Sequence, residues 1–171
     1  MNDQSPVLKA AGSLYGFYES VLNHAQGALL LIVRLTWGGF LVQTGWGKWQ
    51  DIPKVVGFFT EIGIPFPEVN ACIVASVELF GGLFLILGLL SRLAPLPIIF
   101  AMIVAYATTE GDALQALVTG NPDPFLAAAP FVFLFAALLI LVFGPGYLSA
   151  DALIFRRLGW GERQSGSTRR D

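Results

Sequence analysis

Residues 69–90 read VNACIVASVELFGGLFLILGLL, an apolar run in which Glu78, near the middle, is the only charge. As a helix it is long enough to cross a hydrocarbon core of about 30 Å. The apolar run before it, residues 25–45 (AQGALLLIVRLTWGGFLVQTG), also carries one charge, Arg34. Each charge costs roughly 2.5–3.5 kcal/mol at a helix centre on insertion scales, so each needs a partner or a purpose.

Two further apolar runs, 93–109 and 125–143, follow in the 171 residues. With 55% hydrophobic and 13% charged residues, and a mean hydropathy of +0.68, the chain is too apolar for a soluble domain of this size. The expected fold is all-α: an integral membrane four-helix bundle with spans 25–45, 69–90, 93–109 and 125–143. Ser91 and Arg92 make so tight a connection that the second and third spans must be antiparallel neighbours.

Lys9, Arg92, Arg156, Arg157, Arg163, Arg169 and Arg170 fall on one side of these spans, against Lys48 and Lys54 on the other. Cytoplasmic flanks collect Lys and Arg, which predicts a multi-pass membrane protein with both termini cytoplasmic. Residues 1–24 show no cleavable export signal, so the first span is expected to direct insertion. This segment is expected to lie at the interface or to extend the first span as a helix.

Short amphipathic helices are expected in both outer loops. Asp51 and Pro53 open one that ends at Gly63, and residues 112–119 form about two turns before Gly120. After Gly144-Pro145-Gly146, Ser149 is placed to cap a third, running to Leu158. Residues 159–171 are expected to be a disordered tail.

At 100° per residue, Arg34, Gly38, Leu41, Gly45 and Lys48 share one narrow stripe, a face built to touch something other than lipid. Around Glu78, Ala71, Ala75 and Gly82 make a comparable small-residue stripe that admits a close helix neighbour. Arg34 and Glu78 lie at similar depths when measured from the ends of their apolar runs, so the two are expected to pair. Such a pair either fixes helix register or lines a site. Lys48 stands nearer the outer face as a snorkelling lysine or a contact to a quinone or lipid headgroup. Trp37, Trp46 and Trp49 are interface anchors or a stacking platform.

One histidine and one cysteine, His24 and Cys72, cannot supply a bis-histidine haem site, a zinc site or a CxxC pair within the chain. No metal site and no covalent cofactor are expected, and no nucleic-acid partner. Redox activity would therefore require a lipid-soluble cofactor or a partner subunit.

Five segments in order resemble the DoxX family: Gly45-Trp46-Gly47-Lys48-Trp49, Gly63-Ile64-Pro65-Phe66-Pro67, Glu78-Leu79-Phe80-Gly81-Gly82, Gly88-Leu89-Leu90-Ser91-Arg92 and residues 144–151 (GPGYLSAD). The likeness covers about residues 28–155. It implies an inner-membrane protein tied to sulfur or thiol redox chemistry and to quinone, working beside separately encoded partners, since relatives include the membrane subunit of thiosulfate:quinone oxidoreductase. On that expectation Glu78 and Arg34 are the catalytic candidates, and Lys48, Trp49 and Trp37 line a quinone site. A non-catalytic scaffold or assembly factor is the alternative, as other relatives in the wider group act that way, and a small-molecule transporter is a third. Membrane lipid and either a partner redox subunit or a second copy are the expected contacts.

Overall fold

The computed structural model describes residues 6–157, so the expected tail at 159–171 lies outside the described residues. Eight helices are described and no strand: α1 (Pro6–Gln50), α2 (Ile52–Glu61), α3 (Pro67–Leu87), α4 (Pro95–Thr109), α5 (Gly111–Val118), α6 (Asp123–Ala127), α7 (Ala129–Phe143) and α8 (Ala150–Arg157). The four long ones form a ring in which α1 packs most extensively on α3 and α4 on α7, with α3–α4 and α1–α7 contacts closing it. Leu41, Leu85, Ile98, Ala137 and Ile140 meet at its centre. The outward faces are apolar, as lipid contact demands: Leu35, Phe40, Phe80, Phe100 and Phe135 are all exposed.

Two helices, the part of α1 from Gly12 onward and α3, are long and apolar enough to cross a membrane by themselves. Helix α4 has 15 residues and turns by 89° into α5, and α7 also has 15 residues. The first span is longer than its apolar run, because α1 is one continuous helix of 45 residues reaching past Lys48 to Gln50. Its N-terminal part extends beyond the bundle, and every residue from Gly12 to Gln26 is exposed. Of the two expectations for this segment, the helical extension is the one formed.

Close approach of α1 and α3 depends on glycine. A Cβ on Gly45 would collide with the backbone of Leu79 and lie 2.9 Å from the Ala75 carbonyl; one on Gly82 would lie 2.7 Å from the Gly38 carbonyl. The small-residue stripes thus face each other, as the sequence predicts.

The short helices form where turn chemistry directs them. The Asp51 carboxylate accepts from the Lys54 amide at 3.2 Å, Pro53 sits in the first turn of α2, and Gly63 follows with a φ of 75°. Helix α5 fills the second loop. A further short helix, α6, takes up residues 125–127 of the expected fourth span, because the chain is extended at Ala128 before α7 begins. Tyr106 holds α6 to α4, donating to the Phe125 carbonyl at 2.7 Å and stacking on its ring.

Candidate functional site

The two intramembrane charges do not pair. Gly38 packs opposite Gly82 and Ile86, and Gly45 opposite Ala75 and Leu79. This antiparallel register sets Arg34 level with Gly88 and Glu78 level with Thr44. Arg34 and Glu78 are therefore about ten residues, or roughly 15 Å, apart along the helix axes. The expected Arg34–Glu78 pair is thus corrected. Depths counted from the ends of the apolar runs fail because α1 continues well beyond both ends of its run.

Arg34 is instead a structural clamp at the α8 end of the bundle, only 1% exposed. Its Nε donates to the Leu85 carbonyl at 2.8 Å and Nη2 to that of Ile86 at 2.9 Å, both in the last turn of α3. Nη1 donates to the carbonyls of Pro145 at 2.6 Å and Leu148 at 2.9 Å. A cation on the last carbonyls of a helix complements the negative end of its dipole, here beside the Gly88 amide that already donates to Leu85 at 3.1 Å.

The segment after α7 is fastened again next to this clamp. The Asp151 carboxylate accepts from the amides of Leu90 at 3.0 Å and Ser91 at 2.8 Å, while its own amide donates to the Gly88 carbonyl at 3.0 Å. Ser149 caps α8 by accepting from the Ala152 amide at 3.1 Å, as its position in the sequence predicts. Gly88, with a φ of 64°, has no room for a side chain: a Cβ there would lie 2.5 Å from Arg34 Nη2 and 2.6 Å from Ser149 Cβ.

Glu78 pairs with Lys48, the one ion pair among the described residues. The Lys48 ammonium donates to Glu78 Oε2, the glutamate side chain being 8% exposed and the lysine 30%. One turn separates Thr44, level with Glu78, from Lys48, so the lysine reaches back along α1 to the acid.

This pair borders a cleft of about 650 Å³ enclosed by α2, α3, α4 and the end of α1. Phe59, Ile62 and Ile64 close it from the α2 side, Val74 from α3, and Met102 and Ala105 from α4. Helix α2 packs chiefly on α3, and the cleft is the space it leaves toward α4. Asn70, Thr108 and Glu110 add polar groups. A largely apolar hollow with a few convergent polar groups is the usual form of a small-molecule site.

Of the five candidate residues, Glu78 and Lys48 come together at the cleft. Arg34 is remote from it, Trp37 packs against the bundle core, and Trp49 lines a separate shallow hollow with Trp46, Leu79 and Phe80. Sequence reasoning missed the contribution of α2 and the Gly63–Pro65 turn as one wall. The available signal was the apolar face of α2, which needs something to cover. Among the described residues, no three His, Cys, Asp or Glu side chains are grouped to hold a metal ion.

An all-helical bundle with a lipid-facing apolar surface and an ion pair beside an internal cleft defines an integral membrane protein. The chain belongs to the DoxX family, whose model matches residues 29–111 and so includes Arg34, Lys48, Glu78 and every residue lining the cleft. It is 30% identical over 149 residues to "Uncharacterized membrane protein Rv3486" of Mycobacterium tuberculosis (strain ATCC 25618 / H37Rv), covering 80% of this chain and 88% of that protein. It is 26% identical over 126 residues to "Putative oxidoreductase CatD" of Bacillus subtilis (strain 168), covering 74% of this chain and 87% of that one. No solved structure matches the chain significantly.

Proposed function

We propose that this chain is the membrane subunit of a quinone-linked oxidoreductase system, with the head group held against Lys48 and Glu78. The observation that carries this reading is an ion pair with unused hydrogen-bonding capacity at the wall of a mostly apolar cleft. The lysine ammonium has donors beyond the one given to Glu78, and the carboxylate has a second oxygen. A ring bearing carbonyl or hydroxyl oxygens fits such a pair, with an apolar body against Phe59, Ile62 and Met102 and a tail passing the exposed Phe100 into lipid. The name of the Bacillus relative supports a redox role.

Bound quinone would supply the two-electron, two-proton capacity that the side chains lack. Lys48 orients a carbonyl oxygen by donation, and Glu78 accepts or returns a proton at its carboxylate. Arg34 has no direct part here, because it lies remote from the cleft with four of its five N–H donors spent on main-chain carbonyls; it is a positioning residue for the α8 end. On this reading the α8 end, next to Arg92, is the cytoplasmic one, as the sequence excess of Lys and Arg suggests, and the cleft faces the outer half of the membrane.

The test is reduction of a quinone analogue by thiosulfate or a related donor, using protein purified with its native partners. Glu78→Gln is expected to lower turnover while leaving assembly intact; undiminished turnover would refute the role. A scaffold function is the second reading, favoured by the exposed Leu14, Phe17 and Tyr18 on the free part of α1. It predicts that Glu78→Gln lowers abundance or complex formation in step with function.

A further inference from the structure

The two members of the ion pair at the cleft are of opposite kind and unequal freedom. Lys48, 30% exposed, can turn its remaining hydrogens to water at the rim. Glu78 cannot move in this way, as its side chain is 8% exposed and fixed on α3. Lys48 takes up Oε2, and among the described residues no other protein donor reaches the carboxylate. Among the described residues the one fully enclosed side-chain polar atom without a partner is Ser91 Oγ, so Glu78 Oε1 retains an open face. Glu78 lines the cleft, the space into which a ligand donor could approach it.

An anionic acceptor beside apolar walls gains much from a donor and is penalised by a second acceptor, since hydrogen bonds to charged groups are roughly twice as strong as neutral ones. The oxidised and reduced forms of a quinone differ in this respect. A quinone presents only carbonyl oxygens, which Lys48 can satisfy and Glu78 repels. A hydroquinone presents hydroxyls, each able to donate to Glu78 Oε1 while its oxygen accepts from Lys48 Nζ.

We propose that Glu78 makes the cleft selective for the reduced, hydroxyl-bearing head group over the quinone of the same skeleton. This rests on the cleft being a quinone-type site. Glu78 is then the specificity-determining residue and Lys48 serves both forms. The difference between a charged and a neutral hydrogen bond corresponds to a preference of about tenfold.

The experiment measures equilibrium binding to the whole chain in lipid nanodiscs under argon, with three probes of equal tail length. These are a decyl benzohydroquinone, its quinone, and its dimethyl ether, which keeps the ring and removes both donors. The hydroquinone is expected to bind about tenfold more tightly than either of the others. In Glu78→Gln the amide accepts weakly and can donate to a carbonyl, so the preference should fall to about threefold or less. If that variant does not fold, the order of the three probes on the unaltered chain still decides. Quinone or dimethyl ether binding as tightly as the hydroquinone overturns the selectivity but leaves the site standing, provided Ala105→Trp, which fills the cleft, abolishes binding. Should no probe show binding that Ala105→Trp removes, the quinone site and its selectivity fall together.

Discussion

Replacing Arg34 by methionine keeps a long side chain but deletes four hydrogen bonds to main-chain carbonyls. The Leu85 carbonyl is buried and keeps the Gly88 amide at 3.1 Å, so what it loses is one hydrogen bond to a charged donor, about 1.5–3 kcal/mol. The other three bonds are only partly buried, so water can replace part of each, and roughly 0.5–1 kcal/mol apiece is a fair figure. Relief from burying a guanidinium offsets some of this. The expected net loss is about 3–4 kcal/mol, concentrated where the 144–149 segment meets the end of α3. Thermal unfolding in detergent followed by size-exclusion chromatography should show a midpoint lowered by about 6–16 °C on the soluble-protein scale. Limited proteolysis should cut Arg34→Met faster between Gly144 and Ser149. Arg34→Lys should recover only part of the loss, because three donors on a point charge cannot match a planar fork across two segments. An Arg34→Met protein as stable and protease-resistant as the unaltered chain would refute the clamp.

Three other outcomes follow from the same geometry. Gly45→Ala should lose at least about 2 kcal/mol or fail to assemble, since its Cβ meets α3 backbone, whereas Gly47→Ala, with open space around it, should be tolerated; thermal midpoints separate the two. Ser91→Ala should raise the midpoint slightly, by the equivalent of up to about 1 kcal/mol, because the buried Ser91 hydroxyl has no partner to lose. Glu78→Gln should cost stability only modestly, about 1 kcal/mol or less, because Lys48 can turn to water once the carboxylate charge is gone; that separates its effect on ligand binding from any effect on folding.

Much of this was legible in the chain. Apolar runs place α3, α4 and α7 to within a few residues, and the spacing of Gly38, Gly45 and Gly82 foretells the face by which α1 meets α3. Asp51, Pro53 and Ser149 mark their helix starts because capping is local chemistry. The charge pairing was not legible. Arg34 and Glu78 match in depth only if helices end where hydrophobicity does, and α1 does not, because helix propensity carries it through the polar residues at both ends of its apolar run. The true partners of Arg34 are main-chain carbonyls more than fifty residues away, which carry no side-chain signature. Helical spacing puts Lys48 on the same stripe, but its reach to Glu78 depends on the register that the glycines impose.

The most direct test of the quinone site is photolabelling of the protein in membranes with an azidoquinone, followed by peptide mapping of the adducts. Adducts are expected only on the cleft lining, at Lys48, residues 58–65, Asn70, Val74, Glu78 and residues 100–110, reduced by excess unlabelled hydroquinone and lost in Ala105→Trp. Adducts scattered over the lipid-facing surfaces of α1, α3 and α7, unaffected by competitor, would contradict it.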